Sequence, residues 1–132
     1  MNKEMAKEYN VKALAYLGDA VYEVYIRKHI MKHTLEQVAK LHKKAIKYVS
    51  AKAQAYIVES LDEFWTLEEK DIIRRGRNAD TNTVPKNTDV VTYKVATGFE
   101  ALIGFLYLTD NITRLEEIIY KAIKTIEEKE EE

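Results

Sequence analysis

Residues 14–23 read Leu14-Ala15-Tyr16-Leu17-Gly18-Asp19-Ala20-Val21-Tyr22-Glu23, an apolar run broken by two acids. The apolar character extends from Val11 to about Met31 with few breaks, which predicts one central, mostly buried helix. On that helix Asp19 and Glu23 stand at i,i+4 on one face, where like charges repel by about 0.2–0.5 kcal/mol. Acids are rarely buried without a partner, so the pair calls for a cation, a proton or a structural donor. A second segment, Thr97-Gly98-Phe99-Glu100-Ala101-Leu102-Ile103-Gly104, has the same character. Its single acid, Glu100, stands among small residues that let another backbone or a ligand approach closely. Two helices that each offer an acid from an apolar face make an oxygen-rich set suited to Mg²⁺ or Mn²⁺ rather than zinc. For Asp19 a structural reading, a core acid held by Lys, Arg or a backbone donor, carries equal weight here. Glu23 by itself reads more readily as a surface glutamate.

The rest of the composition narrows the class. A chain of 132 residues with 46% apolar and 33% charged residues is the size of one globular domain. One proline and four glycines leave long unbroken segments, so the expectation is helical. The absence of cysteine excludes disulfides, thiolate zinc sites and a cysteine nucleophile, and fits a reducing compartment. The start, Met1-Asn2-Lys3-Glu4, has no apolar leader, and no run approaches 18 consecutive apolar residues. Together these point to a cytoplasmic protein with no membrane partner. The net charge of −1 hides an uneven distribution. Lysines 40, 43, 44, 47 and 52 form a stretch without acids, residues 70–94 carry a second basic region, and residues 127–132 form an acidic tail. That asymmetry suits a polyanionic partner.

Capping signals divide the chain. Thr34 with Gln37 predicts a helix to about Val49, a further helix spans about 50–64, and Thr66 with Glu69 opens one to about Asn78. Residues 79–89 are polar, hold the only proline and lack a period, which predicts a flexible loop. Asp89 caps the helix bearing Glu100, and Thr113 with Glu116 caps a last helix that frays into the acidic tail. The expectation is an all-α bundle of about six helices in a single domain, residues 1–132. A di-iron carboxylate bundle would need Glu-x-x-His pairs, which this sequence lacks.

These residues resemble a known family. Leu14 to Glu23 resembles the signature helix of ribonuclease III, and Phe99-Glu100-Ala101-Leu102-Ile103-Gly104-Phe105-Leu106-Tyr107-Leu108 resembles its second motif. Together with Arg75-Gly76-Arg77-Asn78-Ala79 and Thr83-Val84-Pro85-Lys86-Asn87-Thr88-Asp89, they look like the Mini-III group, catalytic domains without a double-stranded-RNA-binding domain. The resemblance spans roughly residues 10–110. It implies a ribonuclease III-like fold and a two-fold dimer, with part of the first long helix at the interface. It also implies a Mg²⁺-dependent endoribonuclease for double-stranded RNA, in which Mn²⁺ can substitute. Ribosomal RNA precursor is the substrate so implied, and the products carry 5′-phosphate and 3′-hydroxyl ends. Asp19 and Glu100 fall on the aspartate and glutamate with which the family holds catalytic magnesium. The sequence departs from the full-length enzymes at Ala15 and Thr97, where two further acids are usual. Glu23 is the candidate to supply part of that deficit. The alternative is a non-catalytic RNA-binding or ribosome-associated protein on the same scaffold, for which Ala15 and Thr97 are the only support.

Arg74, Arg75, Arg77, Asn78 and Lys86, at and beyond the helix end that precedes the loop, are the candidates for gripping RNA phosphates. A solvated helix end complementing its dipole is the plainer reading of the same arginines. The Lys40/Lys43/Lys44/Lys47 stripe reads first as a solvated face. His29 and His33 lack a third metal ligand and read as helix C-terminal histidines. Tyr16, Tyr22, Tyr25 and Tyr107 sit in apolar runs and are expected in the core.

Overall fold

The computed structural model describes residues 1–81 and 84–131. Among these the chain is all helical, with a short α1 (Lys3–Lys7) followed by α2 (Val11–Met31), α3 (Val38–Val49) and α4 (Ala51–Ser60). Then come α5 (Leu67–Arg77), α6 (Val90–Leu108) and α7 (Ile112–Glu131). The apolar helix at the centre is α6 rather than α2. It is apolar around its whole circumference, and α2, α4 and α5 pack on its sides. Phe99, Leu102, Ile103 and Phe105 are fully buried there, and the Phe99 ring meets Tyr22 edge to face at 5.1 Å. Such a pair contributes about 0.5–1.5 kcal/mol beyond the area it buries.

Helix α2 corrects the expectation of a mostly buried element. Only one stripe is buried, running Leu14, Gly18, Tyr22, Ile26 and Ile30 at four-residue spacing, with Ala15 and Val21 beside it, against α6 and α3. The other face carries Tyr16 and Val24, which are 84% and 65% exposed. Of the four tyrosines expected in the core, only Tyr22 is fully buried, while Tyr16 and Tyr107 are exposed and Tyr25 is half-buried. Apolar residues all round a helix do not say which of them faces a neighbour; the packing of α2 on α6 does.

That packing is set by glycine. A Cβ at Gly18 would lie 1.7 Å from the Glu100 carbonyl oxygen, and one at Gly104 would lie 2.0 Å from that of Leu14. No side chain fits at this crossing, so the two backbones touch. The α5–α6 contact works likewise, with Gly76 and Gly98 facing each other.

The caps follow the sequence in part. Ser50 accepts from the Ala53 N–H, Asp89 from the Thr92 N–H, and Thr66 with Glu69 forms a complete capping box. Two expected caps differ. The helix after Thr34 starts only at Val38, with Gln37 making no side-chain cap, because the Thr34 hydroxyl accepts instead from the Glu36 N–H. The last helix begins at Ile112, ahead of Thr113, with the Asn111 carbonyl taking its first backbone bond from Leu115. Nor does α7 fray from Glu127. The Glu127 carboxylate accepts from Tyr48 and meets His29, each at 2.9 Å, and Glu130 reaches Lys47 at 3.5 Å. The acidic end is thus laid against the basic α2–α3 corner.

Candidate active site

Because Gly18 rests on the carbonyl of Glu100, the next residue on α2 is brought to the side chain of Glu100 on α6. Asp19 and Glu100 line one pocket of about 350 Å³. Glu100 is half-buried and Asp19 exposed, so the core-acid reading of Asp19 does not hold. The two carboxyl groups interact across the pocket, through a hydrogen bond to Asp19 that acts on Glu100. Burial, that hydrogen bond and the charge of Asp19 push Glu100 up to about 8, while the nearby Gln54 amide acts in the opposite direction. Among the described residues neither acid takes part in an ion pair.

Ala15 and Thr97 line the same pocket. The methyl of Ala15 offers no donor. The Thr97 hydroxyl donates to the Tyr93 carbonyl at 3.0 Å, which leaves it an acceptor only in its remaining lone pairs. Glu23 is not brought to the site: one turn beyond Asp19, its carboxylate accepts from Arg27 Nε at 3.4 Å. No group of three His, Asp or Glu side chains converges among the described residues, and His29 Nε2 meets the Glu127 carboxylate at 2.9 Å. The protein donor set is two carboxylates in an open, polar pocket. That fits a hard cation that keeps several waters and takes one or two carboxylates, as magnesium does.

The pocket walls hold residues that the sequence did not assign to the acids' site. Lys12 and Tyr16 stand on the face of α2 that carries Ala15 and Asp19, at the spacing i, i+3, i+4, i+7. That spacing, counted back from Asp19, was the available signal. Tyr93 enters from α6, one turn before Thr97, and Thr81 from the segment after α5. The near limb of the loop predicted at 79–89 therefore borders the acids; its Asn82 and Thr83 lie outside the described residues.

The basic candidates divide. Arg74 pairs with Asp71, and Arg75 Nη2 donates to the Lys7 carbonyl at 3.4 Å, so both have local roles. Arg77 and Lys86 are exposed, and neither makes a salt bridge among the described residues. The Asn78 N–H closes the end of α5 on the Arg74 carbonyl. Lys44 and Lys47 pair with Glu36 and Glu130, in line with the solvated-face reading.

A ribonuclease III domain profile matches residues 12–111, a span that contains Asp19, Glu100 and every pocket residue named above. The curated Mini-ribonuclease 3 of Thermoanaerobacter sp. (strain X514) is 46% identical over 128 residues, covering 97% of this chain and 90% of that protein. The chain belongs to the Mini-ribonuclease 3 family. The Mini-ribonuclease 3 of Enterococcus faecalis (strain ATCC 700802 / V583) is 48% identical over 127 residues, covering 95% and 96% of the two chains. A crystal structure of a Fusobacterium nucleatum protein superposes with a TM-score of 0.79 at 34% identity, covering 89% of this chain and 93% of that one. As a Mini-ribonuclease 3 the protein is an endoribonuclease for double-stranded RNA, on a ribonuclease III fold. The ribonuclease III family works with a divalent metal, and the two-carboxylate pocket is where such an ion fits.

Proposed function

We propose that this enzyme cleaves double-stranded RNA with Mg²⁺ held by Asp19 and Glu100, Mn²⁺ serving as a substitute, and leaves 5′-phosphate and 3′-hydroxyl ends. The observation that carries this is the acid pair itself: two carboxyl groups at one pocket, Glu100 pushed up by burial and by Asp19, and no ion pair to either among the described residues. Bound there, a divalent ion supplies Lewis acidity toward a phosphodiester oxygen and an acidified water for in-line attack. The protein's part is to offer two oxygen donors on rigid helices, to release the proton of Glu100, and to keep the pocket open to the RNA backbone. Arg77 at the end of α5, its cap Asn78, and Lys86 in the segment that follows face the phosphates. Double-stranded RNA is read there by shape and charge rather than by base identity.

The exposed apolar face of α2 supports a homodimer. Val24 stands out from it, and a groove lined by Leu17, Ala20, Val24 and Tyr107 lies on the same side. A second copy related by a two-fold axis covers this face in both protomers and sets one pocket against each RNA strand. Residues 1–132 act as one catalytic domain, in the cytoplasm, on ribosomal RNA precursor. The family and the absence of cysteine support that placement.

One assay tests the core of the reading. Wild type, Asp19→Asn and Glu100→Gln are each incubated with double-stranded RNA and MgCl₂. Wild type cuts and both variants bind without cutting; an intact duplex with wild type, or full cutting by both variants, defeats the mechanism. Sedimentation of wild type and Val24→Glu tests the dimer, with the variant expected as a monomer.

A further inference from the structure

Lys12 is the one cation among the described residues that line the pocket of Asp19 and Glu100, and Tyr93 lines it too. Each stands seven positions before an acid, Lys12 before Asp19 on α2 and Tyr93 before Glu100 on α6. Seven residues make about two turns, which puts each on the face of its acid and roughly 10.5 Å along the helix from it. Lys12 makes no ion pair among the described residues, with these acids or with others. The Tyr93 carbonyl takes the Thr97 hydroxyl, while the Tyr93 hydroxyl has no hydrogen-bond partner among the described residues. Lys12 also stands where the fold disfavours it. It lies in the first turn of α2, beside the Asn10 cap, where the free N–H groups of a helix repel a cation. The first turns of α1 and α5 carry Glu4, Glu68 and Glu69 instead. A lysine kept for stability would sit near a helix C-terminus or against an acid. This one does neither, and its charge is open to a ligand in the pocket.

We propose that Lys12 and Tyr93 are substrate contacts: the ammonium and the phenol hydroxyl donate to phosphates flanking the one at Asp19 and Glu100, on the strand that is cut. They thereby hold the scissile phosphodiester in register with the acids. The inference deepens the function proposed above and rests on it. A metal at the acids attracts one phosphate; its neighbours on the strand stay anionic and are met by donors on the same pocket wall.

Lys12→Met, Lys12→Arg and Tyr93→Phe are made in the full chain and compared with wild type on a perfectly paired RNA duplex with MgCl₂. Lys12→Met should raise KM about tenfold, the worth of one hydrogen bond to a charged group, and change kcat much less. Tyr93→Phe should raise KM in the same direction, and Lys12→Arg, which keeps the charge, should regain most of the loss. On the non-cutting Asp19→Asn background, Lys12→Met should reduce the slope of log affinity against log salt by about one. Tyr93→Phe removes no charge and should leave that slope unchanged. Without RNA, Lys12→Met should melt no lower than wild type, because the charge opposing the α2 dipole is gone. A folded Lys12→Met or Tyr93→Phe with the KM of wild type overturns this inference alone. So does a Lys12→Met that binds Mn²⁺ more tightly at unchanged RNA affinity, since the lysine is then only a counter-charge for the acids. A wild type that leaves the duplex intact overturns the proposed function, and this inference with it.

Discussion

Glu69 and Glu100 are two glutamates turned inward on neighbouring helices, and the fold treats them in opposite ways. Glu69 is 4% exposed, yet its oxygens take Arg114 Nε and Nη2 at 2.8 and 2.7 Å and the Thr66 N–H at 2.9 Å. Burial pushes its carboxyl up, but the hydrogen bonds from Arg114 and Thr66 and the charge of Arg114 outweigh it and hold the group below the ordinary range. Arg114 is itself seated over the Phe64 ring at 4.2 Å and bonded to the Phe64 carbonyl. Glu100 makes no ion pair among the described residues; it faces a second acid and is pushed up instead. A buried acid with its cation built in joins α5 to α7, whereas one set against another acid is, on the function proposed above, the one left for a cation from solution.

The largest effect should separate the two in catalysis. Asp19→Asn or Glu100→Gln should lower single-turnover cleavage by at least about 100-fold, the upper end of what even an outer-shell loss costs. Arg114→Met should leave the rate per folded molecule unchanged. If Arg114→Met abolished cleavage in folded protein, the division between structural and functional acids would fail. Next, Gly18→Ala forces α2 off the Glu100 carbonyl and should destabilise by more than about 3 kcal/mol, the upper end for overpacked sites. Urea denaturation measures this, and a stable Gly18→Ala protein would refute the backbone contact. Arg114→Met leaves Glu69 buried without its cation and should cost about 3 kcal/mol in the same experiment.

The smallest effect is a pH dependence of opposite sign for the two acids. Glu100 has its folded value raised to about 8 from the ordinary glutamate value of 4.5. Its contribution to stability without metal is fully present below pH 4.5 and is lost as pH rises through 8. Glu69 has its folded value lowered, so its contribution is present above the ordinary glutamate range and is lost as pH falls through the folded value. Metal must displace the proton of Glu100, so apparent Mg²⁺ affinity should rise by up to about tenfold per pH unit below 8. Calorimetric titration at pH 6, 7 and 8 checks the slope. A flat profile in wild type would mean that Glu100 does not hold the ion.

Much of the site was legible before the fold. Asp19 and Glu100 stand out as acids in apolar helices beside small residues, and the Thr66–Glu69 capping box is plain in the sequence. Tyr93 gave no such signal, because a tyrosine at the start of an apolar helix reads as well in the core as at a pocket. Arg114 was equally silent, since its partners Glu69 and Phe64 lie 45 and 50 residues away along the chain. Glu23 was legible in spacing but misleading, because i,i+4 stacking gave it an equally near partner in Arg27.

Local chemistry in the sequence thus determined the all-helical class, most helix starts and the two acids, since apolar period, caps and residue type act over a few neighbours. Tertiary structure decided which face of α2 is buried, which glutamate receives an arginine and which receives another acid. Those outcomes depend on how closely helices approach, and that distance is set here by Gly18 and Gly104 pressing α2 onto α6.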